Sequence, residues 1–147
     1  GPGRTGDLQV EIFKSEGVDL SRVNIGHSNQ TTNLDYLLGL LKEGVWLGLD
    51  VYPGGPPPES LDWEQRTELA GQLIEAGYGR RIMLSHDWCV IKPWGSRAAQ
   101  EEKQLSNPDA YLFVTRRVLP RLSEMGFPQQ QLDDILTENP RRFFEGT

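Results

Sequence analysis

The hydrophobic positions of this chain switch between a helical and an extended rhythm. Across residues 8–16, apolar side chains fall at Leu8, Val10, Ile12 and Phe13, and Gly17 follows, which predicts a short helix or the end of one. Arg22-Val23-Asn24-Ile25-Gly26-His27 is short and partly β-branched and predicts a strand. Leu34, Leu37, Leu38 and Leu41 then recur at i, i+3, i+4 and i+7, one buried stripe on a helix capped by Thr32 or Asn33 and ended by Gly44. Residues 45–52 are almost continuously apolar, as in a strand buried on both faces. The PGGPPP run at 53–58 is a loop. Ser60 or Asp62 caps the next helix, with Leu69, Ala70, Leu73 and Ile74 inward and Gly77 closing it. A third strand is expected over residues 81–87, then a long polar loop over 88–106. Asn107-Pro108 places a cap before a proline at the first helical position. The helix that follows should bury Phe113, Val114, Leu119 and Leu122, kink near Pro120 and stop at Gly126. Leu132, Ile135 and Leu136 predict a further short helix, and Pro140 opens a last turn holding Phe143 and Phe144.

Strands alternating with helices imply an α/β fold with a parallel sheet and right-handed crossovers. At 147 residues and 37% hydrophobic, the chain is long enough for one domain with a real core. Its net charge of -6 repels phosphate backbones and argues against nucleic acid as a general partner. No apolar run approaches the roughly 18 residues that suggest a membrane span. Cys89 is the only cysteine, so no intrachain disulfide forms and a reducing cytoplasm is the expected location.

In parallel α/β folds, sites form at the C-terminal ends of the strands. That rule selects Gly26-His27-Ser28, Asp50-Val51-Tyr52 and His86-Asp87-Trp88. Imidazole and carboxylate are common ligands of zinc and related ions, and both histidines of the chain lie at these strand ends. A hydrogen-bonded structural role is nonetheless the commoner fate of a lone strand-end histidine. Two ligands also fall short of the three or four that a zinc site uses.

The same residues carry a resemblance. Ile25-Gly26-His27-Ser28, followed by a capped Leu-rich helix, is similar to the sixth-strand segment of the phosphotriesterases and phosphotriesterase-like lactonases, in the amidohydrolase superfamily. Gly48-Leu49-Asp50 resembles their seventh strand. Met83-Leu84-Ser85-His86-Asp87-Trp88-Cys89, with Trp94-Gly95 beyond, resembles the eighth, and Asn139-Pro140-Arg141-Arg142-Phe143-Phe144 the closing segment. The likeness runs from about Arg4 to the end and implies that residues 1–147 are the C-terminal half of a (β/α)8 TIM barrel, with the N-terminal half absent. It further implies a binuclear metal-dependent hydrolase. In that family two divalent ions, commonly zinc, hold a bridging hydroxide that attacks a phosphotriester or lactone. By resemblance His27 matches a ligand of the more exposed ion, and Asp87 a ligand of the buried ion and the catalytic proton acceptor. Trp94 matches a pocket-lining tryptophan; Trp88 and Tyr52 either line the pocket or belong to the core. Strand alternation turns His86 away from the site toward a structural role, and Cys89 reads as a small buried residue.

Two departures bear on the substrate, and one on completeness. Organophosphate-hydrolysing members carry a histidine where this chain has Val51 and an acidic residue where it has Gln30, and many lactonases carry an arginine at the Val51 position. An ester or lactone is therefore expected ahead of an organophosphate. The family's first-strand His-x-His pair, its bridging lysine and its fifth-strand histidine have no counterpart here. No lysine falls at a strand end: Lys14 and Lys42 lie on helices, Lys92 and Lys103 in the long loop or at its edge. A sheet of three strands would leave open edges, so a missing N-terminal half-barrel or a second copy of the chain is the expected partner. The alternative is a catalytically inactive half-barrel or interaction module.

Overall fold

A computed structural model of the chain describes residues 4–54, 60–88 and 96–146. Its centre is a three-stranded parallel sheet in the order β1-β2-β3: Asn24–Ile25, Trp46–Leu49 and Ile82–Leu84. Asn24 pairs with Trp46, and Leu47, Gly48 and Leu49 pair with Ile82, Met83 and Leu84. The strands are shorter than the apolar runs suggested, because their C-terminal residues leave the ladder for the loops.

Each crossover is a helix whose start the sequence marks. Asn33 caps α2 (Leu34–Lys42), its side-chain oxygen accepting from the Tyr36 amide at 3.1 Å. Asp62 caps α3 (Trp63–Leu73) in a full capping box with Gln65. The stripe of α2 is rotated from expectation. Leu37, Leu40 and Leu41 are buried, while Leu34 and Leu38 are half-buried, because α1 (Thr5–Ser15) packs alongside and draws Leu40 under Gly6. Leu69, Ala70, Leu73 and Ile74 face inward as expected, and Gly77, at φ 90°, closes the helix.

The two faces of the sheet differ. Val23, Ile25, Val45, Leu47, Leu49 and Ile82 are buried in a core shared with α2 and α3. Strand alternation puts Asn24, Gly26, Gly48 and Asp50 on the opposite face, where Asn24 and Gly26 are exposed. A Cβ on Gly48 would lie 3.1 Å from both Asn24 Nδ2 and Asp50 Oδ2, which places these groups together.

Three expectations change in the C-terminal part. The polar stretch before Asn107 contains α4 (Arg97–Ser106), capped by Ser96, so Lys103 falls on a helix. Residues 89–95, with Cys89 and Trp94, lie outside the described part. Near Pro120 the helix opens into a π turn over Val114–Val118 before α5 (Leu119–Glu124). A proline nitrogen cannot bond the carbonyl four residues back, and the wider turn absorbs the loss. After α6 (Gln129–Leu136), α7 (Glu138–Glu145) starts before Pro140 rather than at it. Asn139 secures it by donating to the Gly79 and Ile82 carbonyls at 2.7 and 2.8 Å. Phe143 packs edge-on against Trp46, whereas Phe144 is 74% exposed. No helix among the described residues is long and apolar enough to cross a membrane.

Replacing Asp62 with Ala removes the half of the α3 cap in which its carboxylate accepts the Gln65 amide at 2.8 Å. It is expected to lower unfolding free energy by about 1 kcal/mol in a urea titration; an unchanged midpoint would show that the helix start is held by other contacts.

Candidate active site

The three strand ends converge on one side of the sheet. After β1 the chain turns sharply, with His27 in the left-handed region at φ 57°. After β3, Asp87 does the same at φ 45°. Both are residue types that tolerate this conformation at some cost, and strained backbone of this kind collects at functional sites. The turns aim the two side chains at each other: His27 Nε2 lies 3.5 Å from Asp87 Oδ2.

Asp50, at the end of the central strand, organises this pair. One of its oxygens, Oδ1, accepts the His27 backbone N–H at 2.7 Å and faces the ring Nδ1 at 2.9 Å. An ionised carboxylate can only accept, so the ring proton belongs on Nδ1. That leaves the lone pair of Nε2 pointing at Asp87, itself an acceptor. Two acceptors held 3.5 Å apart repel unless a cation or proton lies between them. Imidazole nitrogen and carboxylate oxygen are both donors that divalent ions take, so the pair fits a metal site. Exposure grades outward, with side chains 26% exposed at Asp50, 51% at His27 and 58% at Asp87. Space for the Asp50 carboxylate comes from glycine: a Cβ on Gly26 would sit 3.2 Å from Oδ2.

Among the described residues, no group of three or more His, Cys, Asp and Glu side chains is placed to hold a metal ion. The described residues thus offer a convergent pair of donors, not a complete site. A cleft of about 550 Å³ opens beside His27 and Gln30, between α1 and α2 along the outer edge of β1.

The remaining candidates are dispersed. Tyr52 is a core residue, wholly shielded from solvent, with burial raising its phenol well above the usual range. It is not among the residues that line the cleft beside His27. Trp88 is half-buried, and its carbonyl accepts from the Tyr111 hydroxyl at 2.6 Å. His86 points away from His27; its Nε2 accepts the Val114 amide at 3.2 Å, and its ring meets Tyr111 edge-on. The strand-end rule selects Asp50, but not its role as partner of His27. Its signal was available: a carboxylate ending the most buried strand needs donors, and the neighbouring strand end supplies them.

The profile described as the Phosphotriesterase family matches residues 2–144. The chain belongs to this family. It is similar to the aryldialkylphosphatase of Saccharolobus solfataricus, 32% identical over 144 residues, covering 95% of this chain and 44% of that protein. A phosphotriesterase homology protein of Mycobacterium tuberculosis is 36% identical over 143 residues, 97% of this chain and 42% of that one. The N-acetyltaurine hydrolase of Dictyostelium discoideum is 32% identical over 152 residues, 96% of this chain and 39% of that protein. The solved structure of the phosphotriesterase from Mycobacterium tuberculosis superposes with a TM-score of 0.85 at 34% identity, over 97% of this chain and 42% of that one. The chain therefore spans less than half the length of these relatives.

Burial holds the His86 imidazole below its ordinary value of 6.5. The unfolded chain therefore takes up this proton first. Stability from the neutral ring is complete above the ordinary imidazole value and is lost as pH falls toward the lowered one. His86→Gln, which keeps an acceptor for Val114, is expected to flatten the acid side of a melting-temperature-versus-pH curve. An unaltered slope would remove His86 from the pH dependence.

Proposed function

We propose that this chain is the C-terminal half of a (β/α)8 barrel and supplies two ligands, His27 and Asp87, to a binuclear metal-dependent hydrolase. The observation that carries the reading is the convergence of His27 Nε2 and Asp87 Oδ2 at 3.5 Å, with Asp50 behind. The open sheet face bearing Asn24, Gly26 and Asp50 supports the barrel: these groups suit an interior whose far wall other strands provide. Those strands, and the further ligands, come from an N-terminal half-barrel, as a preceding segment or a separate chain, or from a second copy. The lone Cys89 accords with a cytoplasmic enzyme.

Divalent ions, zinc first among them, would supply Lewis-acid polarisation of the substrate and a water acidified to near neutral pH. This chain's own residues do the rest. Asp50 fixes the His27 tautomer so that Nε2 stays free for coordination. Asp87 accepts a proton as the water attacks. Trp88 and Trp94 shape the approach for a small, partly apolar substrate. Val51 and Gln30 provide neither the imidazole nor the carboxylate of a proton relay, which favours a lactone or carboxylic ester over a phosphotriester. The similarity to an N-acetyltaurine hydrolase adds an N-acyl amide to the candidates. The second reading, a half-barrel inactive by itself, is favoured by the incomplete ligand set.

The experiment pairs the chain alone with the complete barrel and presents lactone, carboxylic ester, N-acyl amide and phosphotriester in turn. Metal-dependent turnover is expected only from the complete barrel, fastest outside the phosphotriester. Asp87→Ala should lower kcat by about 10²–10⁴-fold. A complete barrel that retains zinc and hydrolyses none of these, or an Asp87→Ala variant with full activity, would overturn the reading.

A further inference from the structure

Behind the candidate site lies a buried polar cluster that the proposed chemistry does not use. Arg66 sits on the inward face of α3 and is only 2% exposed. Burial pulls its guanidinium below the usual range, a cost that a merely space-filling side chain would not carry. Its fork bridges two segments. Nε donates to the Leu61 carbonyl at 3.2 Å, Nη2 to Ser60 Oγ at 2.9 Å, and Nη1 to the Asn29 carbonyl. Gly54, at φ 91°, lies flat against it; a Cβ there would fall 2.6 Å from Nε.

Asn29 relays this anchor. Its backbone carbonyl takes the Arg66 bond, and its fully buried side chain grips the backbone of Val51 from both sides. Asn29 Nδ2 donates to the Val51 carbonyl at 3.2 Å, and Oδ1 accepts the Val51 amide at 3.1 Å. Asn29 is two residues after His27, and Val51 is the residue after Asp50. The reciprocal bonds therefore lock together the two loops whose preceding residues form the His27–Asp50 contact. Between Asn29 and His27 the turn is closed by the Gln30 amide donating to the His27 carbonyl at 3.1 Å and by Ser28 Oγ donating to the Ile25 carbonyl at 2.7 Å.

We propose that Arg66 is a positioning residue for the His27–Asp50 pair, acting through Asn29. A planar, five-donor group can hold three acceptors in fixed directions at once, which an ammonium cannot. The inference rests on the functional reading only in giving that pair a purpose; the positioning itself is a property of the loops.

The test uses the chain as it stands and reads the imidazole nitrogens by long-range proton–nitrogen NMR in alkaline solution. Wild type should show His27 as a single Nδ1-protonated tautomer, with His86, whose Nε2 accepts from Val114, as an internal reference. Arg66→Met should convert His27 to a tautomer mixture and leave His86 unchanged. Arg66→Lys, which keeps the charge without the fork, should give the same loss and decides the matter if Arg66→Met does not fold. Leu73→Ala, a fully buried neighbour on the same helix, controls for destabilisation alone and should leave His27 in one tautomer. In the complete barrel, zinc titration followed at His27 should show affinity about tenfold weaker in Arg66→Lys than in wild type. A single His27 tautomer in folded Arg66→Lys overturns the proposal, as does a mixture in Leu73→Ala. With the tautomer lost as expected, a wild-type His27 that ignores zinc in the complete barrel supports the positioning role and overturns the metal reading instead.

Discussion

One carboxylate connects the fold to its chemistry. Asp50 ends the strand that is buried on all sides, and it receives both the backbone amide and the ring of His27 from the neighbouring strand. Without that acceptor the left-handed turn at His27 would have an unpaired amide and a freely rotating ring. With it, the ring presents one nitrogen outward, toward Asp87. The short strands, the glycines at 26 and 48, and the helices behind the sheet all serve to place this carboxylate. Metal-ligating histidines are commonly oriented by such a hydrogen bond, and the partner matters nearly as much as the ligand.

The order of elements was legible because buried parallel strands and amphipathic helices have distinct periods. What the periodicity missed follows from its physics. Leu40 replaces Leu34 and Leu38 on the buried stripe because a helix surrounded on two sides has a wide apolar arc, whose centre depends on neighbours. The helix Arg97–Ser106 has no apolar stripe at all; a serine cap and an Arg97–Glu101 pair at 2.9 Å mark it, and Leu105 is left 82% exposed. Tyr52 reads equally well as pocket or core, and only the path of the chain after Asp50 decides. The resemblance singles out His27 and Asp87 and the strand-end rule reaches Asp50, yet the bond from Asp50 to His27 and the roles of Asn29 and Arg66 escape because hydrogen bonds between loops leave no periodic trace.

Membership of the phosphotriesterase family sets the frame within which the incomplete site makes sense. The chain covers 42% of a solved family structure and follows it closely over that length. A paired His and Asp with one orienting carboxylate is a stable part of a larger constellation. It can be built by local loop contacts alone, and in the proposed barrel the ligands that close the shell would lie on other strands. The two outer strands each pair on one side only among the described residues, which is the geometry such an addition requires.

The most direct test of the central claim is anomalous diffraction at the zinc edge from crystals of the complete barrel grown with zinc. The account expects scattering peaks within bonding distance of His27 Nε2 and of an Asp87 oxygen, with Nδ1 of His27 still against Asp50. Ordered density for both side chains with no peak beside them, in a protein that binds zinc elsewhere, would contradict it.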